Sequence, residues 1–156
     1  MSGYVVEPLA GHDRSAFDSG SDTLDRYFRE RITQDVRRRI ATGFVAIAPD
    51  GAVAGFYTLA PKSLDFDALP VARARKLPRY PLVPAILLGR LAVAAQHQGV
   101  RLGSALVADA LIRCRRSEIG GYAMIVDAKD DAAARFYEHL GFEALPSSAH
   151  RLIRPI

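Results

Sequence analysis

Ile86–Leu106 reads ILLGRLAVAAQHQGVRLGSAL. Ile86–Ala95 is an apolar run broken only by Gly89 and Arg90. The turn Gln98–Ser104 (QGVRLGS) follows, and a second apolar run, Leu102–Ile112, starts inside it. A short run bounded by turn residues predicts a strand, whereas a longer one rich in Ala and Leu predicts a helix. A helix that begins in a glycine turn aims unpaired backbone N–H groups, and the positive end of its dipole, at one point. Such a point binds phosphate, so the stretch predicts an anionic cofactor. A buried strand–turn–helix whose glycines merely allow a tight turn fits the same residues. The turn has neither the GxxxxGK(S/T) nor the GxGxxG spacing of the two standard phosphate loops.

Working outward, Gly120-Gly121 leads into YAMIVDA, Tyr122–Ala128, a short apolar run expected of a strand covered on both faces. With the intervening helix this makes a βαβ unit, so the two strands should be parallel. Asp130 and Asp131 suit the start of another helix, with Ala133, Phe136, Tyr137 and Leu140 as its inner face and Gly141 as its C′ residue. Phe142–Leu145 and Arg151–Ile156 read as two closing strands.

Upstream, Lys62–Pro84 holds four of the nine prolines and no sustained periodicity. It reads as a long loop with one helical turn at Val71–Arg75. Phe44–Ala48 and Val53–Leu59 are β-rich runs joined by Pro49-Asp50-Gly51, a hairpin signal. Leu24, Phe28, Ile32, Val36 and Ile40 recur every four residues, predicting a helix capped by Asp22 and stopped by Gly43. Tyr4–Leu9 is the first strand, and Phe17-Asp18-Ser19-Gly20 a turn. The order describes one α/β domain over residues 1–156 with a mixed sheet.

At 156 residues the chain is long enough for a real core, and 49% hydrophobic against 24% charged residues excludes a disordered chain. No apolar run reaches the roughly 18 residues of a membrane span. The opening MSGYVVEPLA has no basic segment before an apolar one, so no signal peptide is predicted. A single cysteine, Cys114, rules out an internal disulfide or a cysteine-based zinc site, and a cytoplasmic location fits. No metal site is expected. The net charge is +4, and two windows, Arg26–Arg39 and Lys62–Arg90, hold 12 of the 21 basic residues. Such clustering suits a polyanion partner, or a solvated helix face and a basic loop.

Gln98, Gly99, Val100, Arg101, Leu102 and Gly103 resemble the acetyl-CoA motif (Q/R)-x-x-G-x-(G/A) of the GNAT N-acetyltransferase superfamily, with Arg101 where the middle glycine is usual. Asp130-x-x-Ala133-x-x-Phe136-Tyr137-x-x-x-Gly141-Phe142 resembles that superfamily's N-x-x-A-x-x-x-Y-x-x-x-G-F, with Asp for Asn. Leu87-Leu88-Gly89-Arg90-Leu91-Ala92-Val93, the Phe17–Gly20 turn with Leu24, and Gly55-Phe56-Tyr57-Thr58-Leu59 are similar to the tRNA-acetylating toxins of bacterial toxin–antitoxin pairs.

The resemblance implies a mixed, mostly antiparallel sheet whose central parallel pair splays into a V, flanked by helices. It implies acetyl-CoA as co-substrate, with Leu91, Ala92 and Val93 on the pantetheine. Gln98, Gly99, Val100, Arg101, Leu102, Gly103 and Ser104 would hold the pyrophosphate, Asp130 the CoA arm, and Tyr137 would give a proton to sulfur. It further implies an aminoacyl-tRNA substrate and a ribbon–helix–helix antitoxin as partner, and it allows a homodimer. A phenol of pKa about 10 is protonated at neutral pH and about 1.5 units weaker than a thiol of about 8.5. His97 and His139 read as surface residues, leaving no strong base. That suits an α-amino group, with a pKa near 7.7, better than a lysine near 10.4. Two other readings use the same residues: a general acetyltransferase acting on a protein N-terminus or small amine, and a nucleic-acid-binding module without catalysis.

Overall fold

The computed structural model describes residues 3–156. Met1 and Ser2, part of the stretch read for a signal peptide, lie outside the described residues. The apolar runs form seven strands: β1 (Val5–Pro8), β2 (Thr42–Ile47), β3 (Val53–Asp65), β4 (Leu82–Val93), β5 (Ala123–Asp127), β6 (Glu143–Leu145) and β7 (Ser148–Pro155). They make one sheet in the order β1-β2-β3-β4-β5-β7-β6. As the βαβ unit requires, β4 and β5 pair in parallel, with Ala85 opposite Ala123 and Leu87 opposite Ile125. The pairs β1–β2, β2–β3, β5–β7 and β6–β7 are antiparallel. The helices are α1 (Asp22–Arg26), α2 (Ile32–Arg37), α3 (Val71–Ala74), α4 (Leu102–Arg116) and α5 (Asp131–His139).

The chain forms two compact units, one running up to Ala60 and including Leu88–Ile112, the other made of Pro61–Leu87 and Arg113–Ile156. In the first, Phe17, Tyr27, Phe28, Ile32, Val45, Phe56 and Ala92 form the core. Phe28 stacks on Phe56 with ring centroids 4.1 Å apart, and Phe17 meets Phe28 edge-on at 4.7 Å. Gly55 on β3 lies against β4 and α4. A Cβ there would sit 3.0 Å from the Ala92 carbonyl oxygen and 3.1 Å from Leu106 Cδ1.

The helix expected from Asp22 to Gly43 is broken into parts. Ser21, not Asp22, caps it, its side chain accepting the Leu24 N–H. Residues Tyr27–Arg31 form a π turn between α1 and α2. The four-residue repeat explains why: each step advances about 400°, so the apolar stripe drifts about 40° per step around a regular helix. A turn with an inserted residue brings it back into phase. Phe28 and Ile32 are fully buried, whereas Ile40, past the helix end, is 60% exposed. The stop is Arg39 in left-handed conformation (φ 60°). Ile40 N–H bonds the Asp35 carbonyl and Arg39 N–H that of Val36, a Schellman motif. Gly43 instead lies in β2, where a Cβ would come 3.1 Å from Ile32 Cδ1.

The second unit packs Leu64, Leu69, Val83, Ala85, Ala123, Ile125, Leu145 and Ile153 together. The loop expected over Lys62–Pro84 is shorter, because β3 runs to Asp65 and β4 starts at Leu82. Pro84 lies near the start of β4, and its carbonyl accepts the Tyr122 N–H at 2.8 Å. The helical turn expected at Val71–Arg75 is α3. Gly141 ends α5 at φ 89°, as its C′ position requires.

Candidate active site

The turn after β4 is built from the first unit alone. Gln98 Nε2 donates to the Val93 and Ser19 carbonyls, both at 2.9 Å, tying the turn to the end of β4 and to the Phe17–Gly20 turn. Ala94 N–H bonds Ala54 O at 2.8 Å, which fixes the strand end that carries Leu91, Ala92 and Val93. Gly99 has φ 84° and Arg101 φ 62°. The left-handed backbone at Arg101 explains why glycine is usual there, since a side chain costs about 1–2 kcal/mol in this conformation. Leu102 is buried and anchors the start of α4, while Val100 and Arg101 are exposed.

Among the described residues, the N–H groups of Gly99, Val100, Arg101, Leu102, Gly103 and Ser104 meet no protein acceptor; the first bonded one is Ala105, to Arg101 O. These free donors at the head of a 15-residue helix match an anion in number and charge. The residues present therefore fit the pyrophosphate of CoA.

Asp130 and Tyr137 belong to the second unit, Asp130 at the start of α5 and Tyr137 within it. Asp130 is the N-cap, its Oδ1 accepting the Ala133 N–H at 2.8 Å. Asp and Asn serve equally as caps, which accounts for the Asp in the motif. Tyr137 is half-buried between Phe136 and Phe142, edge-on to both at 5.0 and 5.4 Å. Its hydroxyl has no hydrogen-bond partner among the described residues. Burial pushes the phenol up to about 12, so it stays protonated at neutral pH.

Some organising residues escape a reading of the sequence. Asp25 is buried, and its carboxylate accepts the Ser19 hydroxyl at 2.6 Å and the Ser19 N–H at 3.0 Å. It thereby shapes the turn whose carbonyl holds Gln98. Its one signal in the sequence is an acid among the apolar positions of a helix, just after a turn. Tyr27 spans the π turn, donating to Asp35 Oδ2 at 2.8 Å, and the Arg90 guanidinium lies 3.8 Å from its ring centroid. His139 is exposed as expected, but His97 is half-buried, with its Nδ1 2.8 Å from the Tyr4 hydroxyl. Cys114 is buried, and burial pushes its thiol up, as suits packing. Among the described residues no group of three His, Cys, Asp or Glu is placed to hold a metal. No described helix is long and apolar enough to cross a membrane.

The family model described as acetyltransferase (GNAT) domain matches residues 39–144. The chain belongs to this family, and is an N-acetyltransferase that uses acetyl-CoA. It is 39% identical to a tRNA-acetylating toxin of Mycobacterium tuberculosis, over 98% of this chain and 93% of that one. Its structure matches that of AtaT complexed with acetyl-methionyl-tRNAfMet with a TM-score of 0.88, at 28% identity, over 97% of this chain and 94% of the other. A tyrosine-to-phenylalanine variant of AtaT, bound to the C-terminus of the antitoxin AtaR and to acetyl-CoA, matches with a TM-score of 0.79. The identity there is 25%, over 98% of this chain and 93% of the other.

Proposed function

We propose that this chain is the toxin of a toxin–antitoxin pair, transferring acetyl from acetyl-CoA to the α-amino group of aminoacyl-tRNA and so blocking translation. The observation that carries the reading is the likeness to a tRNA-acetylating toxin along 98% of the chain. In this reading residues 1–156 work as one acetyltransferase domain. The backbone of Leu91, Ala92 and Val93, at the end of β4, lies along the pantetheine. The turn Gln98–Ser104 takes the pyrophosphate on its free N–H groups, and Asp130 meets the CoA arm. The partner antitoxin is of the ribbon–helix–helix type, and the complex is cytoplasmic.

The chemistry follows from the proton balance. The amine lone pair attacks the thioester carbonyl carbon, a C–N bond forms and the C–S bond breaks. The nitrogen gives up one proton and the sulfur takes one. With Tyr137 at about 12, outright donation to a thiolate whose thiol has a pKa of about 8.5 is uphill by about 3.5 units. A relay avoids this: the phenol hands its proton to sulfur as it receives one from nitrogen, and no phenolate accumulates. An α-amino group near 7.7, lowered further by the neighbouring ester, is substantially neutral at physiological pH and then needs no further base.

The test is incubation with labelled acetyl-CoA and total charged tRNA, followed by sequencing of the labelled RNA. Label on the amino acid of a tRNA subset is expected. Label found only on protein N-termini or small amines would replace this reading with a general acetyltransferase.

A further inference from the structure

The loop between β3 and β4, within the second unit, carries an aromatic ring that the acetyl-transfer chemistry leaves unused. Tyr80 is 67% exposed and is the one exposed aromatic residue among those described. Its side chain has no hydrogen bond or ring contact among the described residues.

The backbone beneath it is fixed. Pro78 and Pro81 flank it at either side, Tyr80 N–H bonds the Pro78 carbonyl at 3.0 Å, and Phe66 N–H bonds the Pro81 carbonyl at 3.0 Å. Arg79 lies over the Phe66 ring at 5.7 Å, and Arg73 is held by Glu143 at 2.7 Å. A ring with only two side-chain torsions on a pinned loop gives up little entropy on binding.

Its neighbours decide what it binds. Arg75 and Lys76 are exposed and have no carboxylate partner among the described residues. Cations beside an exposed ring are the two ingredients of a single-strand nucleic-acid platform, one for phosphates and one for a base face. An apolar protein partner would have to desolvate those cations without compensation. We propose that Tyr80 is a stacking platform for an unpaired base of the RNA substrate, with Arg75 and Lys76 on the adjoining phosphates. This rests on the aminoacyl-tRNA reading and adds that the loop recognises single-stranded RNA.

The chain has no tryptophan, so Tyr80→Trp introduces a sole indole emitter at the site. Its fluorescence should be quenched by total tRNA and by an acceptor-stem hairpin with a single-stranded 3′ end, but not by the same hairpin cut blunt. Tyr80→Ala should weaken tRNA binding about 10- to 100-fold, the size of one base stack, with the salt slope unchanged because every phosphate partner remains. Tyr80→Phe should bind as the wild type does. Arg75→Ala with Lys76→Ala should lower the slope instead, and acetyl-CoA affinity should hold in every variant. If Tyr80→Ala binds tRNA normally while the double variant has a reduced slope, the stacking role is refuted and RNA binding stands. If the unaltered protein binds no tRNA at all, both fall. If Tyr80→Ala loses only the antitoxin, the ring belongs to a protein interface and the proposal is overturned.

Discussion

The Tyr57 hydroxyl donates to Asp109 Oδ2 at 2.6 Å, joining β3 to α4 through a side-chain pair 52 residues apart in sequence. Tyr57 is fully buried. The helix that presents the free N–H groups is thus held to the sheet by a hydrogen bond to a charged acceptor as well as by Leu102 and Leu106. Such bonds contribute about 1.5–3 kcal/mol. Tyr57→Phe, which removes only the donor, should lower the unfolding free energy by that amount in a denaturant titration. An unchanged midpoint would mean that water replaces the hydroxyl at no cost.

Arg101 and Gly103 give the phosphate turn a paired test. Gly103→Leu should weaken acetyl-CoA binding at least tenfold, about 1.4 kcal/mol, in a protein that still melts cooperatively. Arg101→Gly relieves the left-handed strain, so it should raise stability by about 1 kcal/mol or less. Its acetyl-CoA affinity should fall severalfold through loss of the guanidinium. Tighter binding by Arg101→Gly in calorimetry would show that the side chain crowds the pyrophosphate.

Tyr137→Phe keeps the ring between Phe136 and Phe142 and removes the phenolic proton. Turnover should drop by about 10²–10⁴ with acetyl-CoA affinity unchanged. Since the hydroxyl has no protein partner among the described residues, stability should barely move. A stable variant with full turnover would return the residue to the core.

Alkaline unfolding should report the two raised phenols. Burial pushes Tyr137 up to about 12, and burial with the Asp35 hydrogen bond does the same for Tyr27. In the unfolded chain both ionise near pH 10. Their contribution is therefore complete below about pH 10 and is lost as pH rises toward about 12. Tyr137→Phe and Tyr27→Phe should each flatten the fall in melting temperature between these limits. Curves parallel to the wild type would show that neither phenol is perturbed.

Salt dependence separates the basic residues of the β3–β4 loop. Neutralising Arg75, Lys76 and Arg79 together should reduce the slope of log K for tRNA against log salt by about 0.7–0.9 for each phosphate no longer neutralised. Arg73 is committed to Glu143 at 2.7 Å, so Arg73→Ala alone should change the slope least. An equal effect from Arg73 would show that RNA competes the ion pair away.

Most of the architecture is legible in the sequence because it depends on local chemistry. The apolar runs around Gln98–Ser104 foretell β4, α4, β5 and their parallel pairing, and Asp130 and Gly141 mark the ends of α5. Periodicity fails where tertiary packing overrides it. The four-residue apolar repeat reads as one regular helix, yet it winds off any single face, and the π turn at Tyr27–Arg31 is the packing solution. Lys62–Asp65 reads as loop because it opens the proline-rich, aperiodic stretch to Pro84, although Leu64 is buried in the core of its unit. At the site, the glycine turn and Tyr137 stand out as motifs. Asp25, Asp109 and Asp35 do not, because each acts on a partner that folding alone brings near.

Gly55 makes the cofactor strand vulnerable from behind. The Ala92 carbonyl that would face its missing Cβ at 3.0 Å belongs to the strand segment assigned to the pantetheine. A single methyl at position 55 is a wedge against that segment from within the core, and Leu106, at 3.1 Å from the same point, leaves it little room to retreat. In the proposed placement of the cofactor, its affinity would be coupled to a buried residue with no side chain. Attenuation of the enzyme is available there without touching a reacting group, an anion donor or a charge.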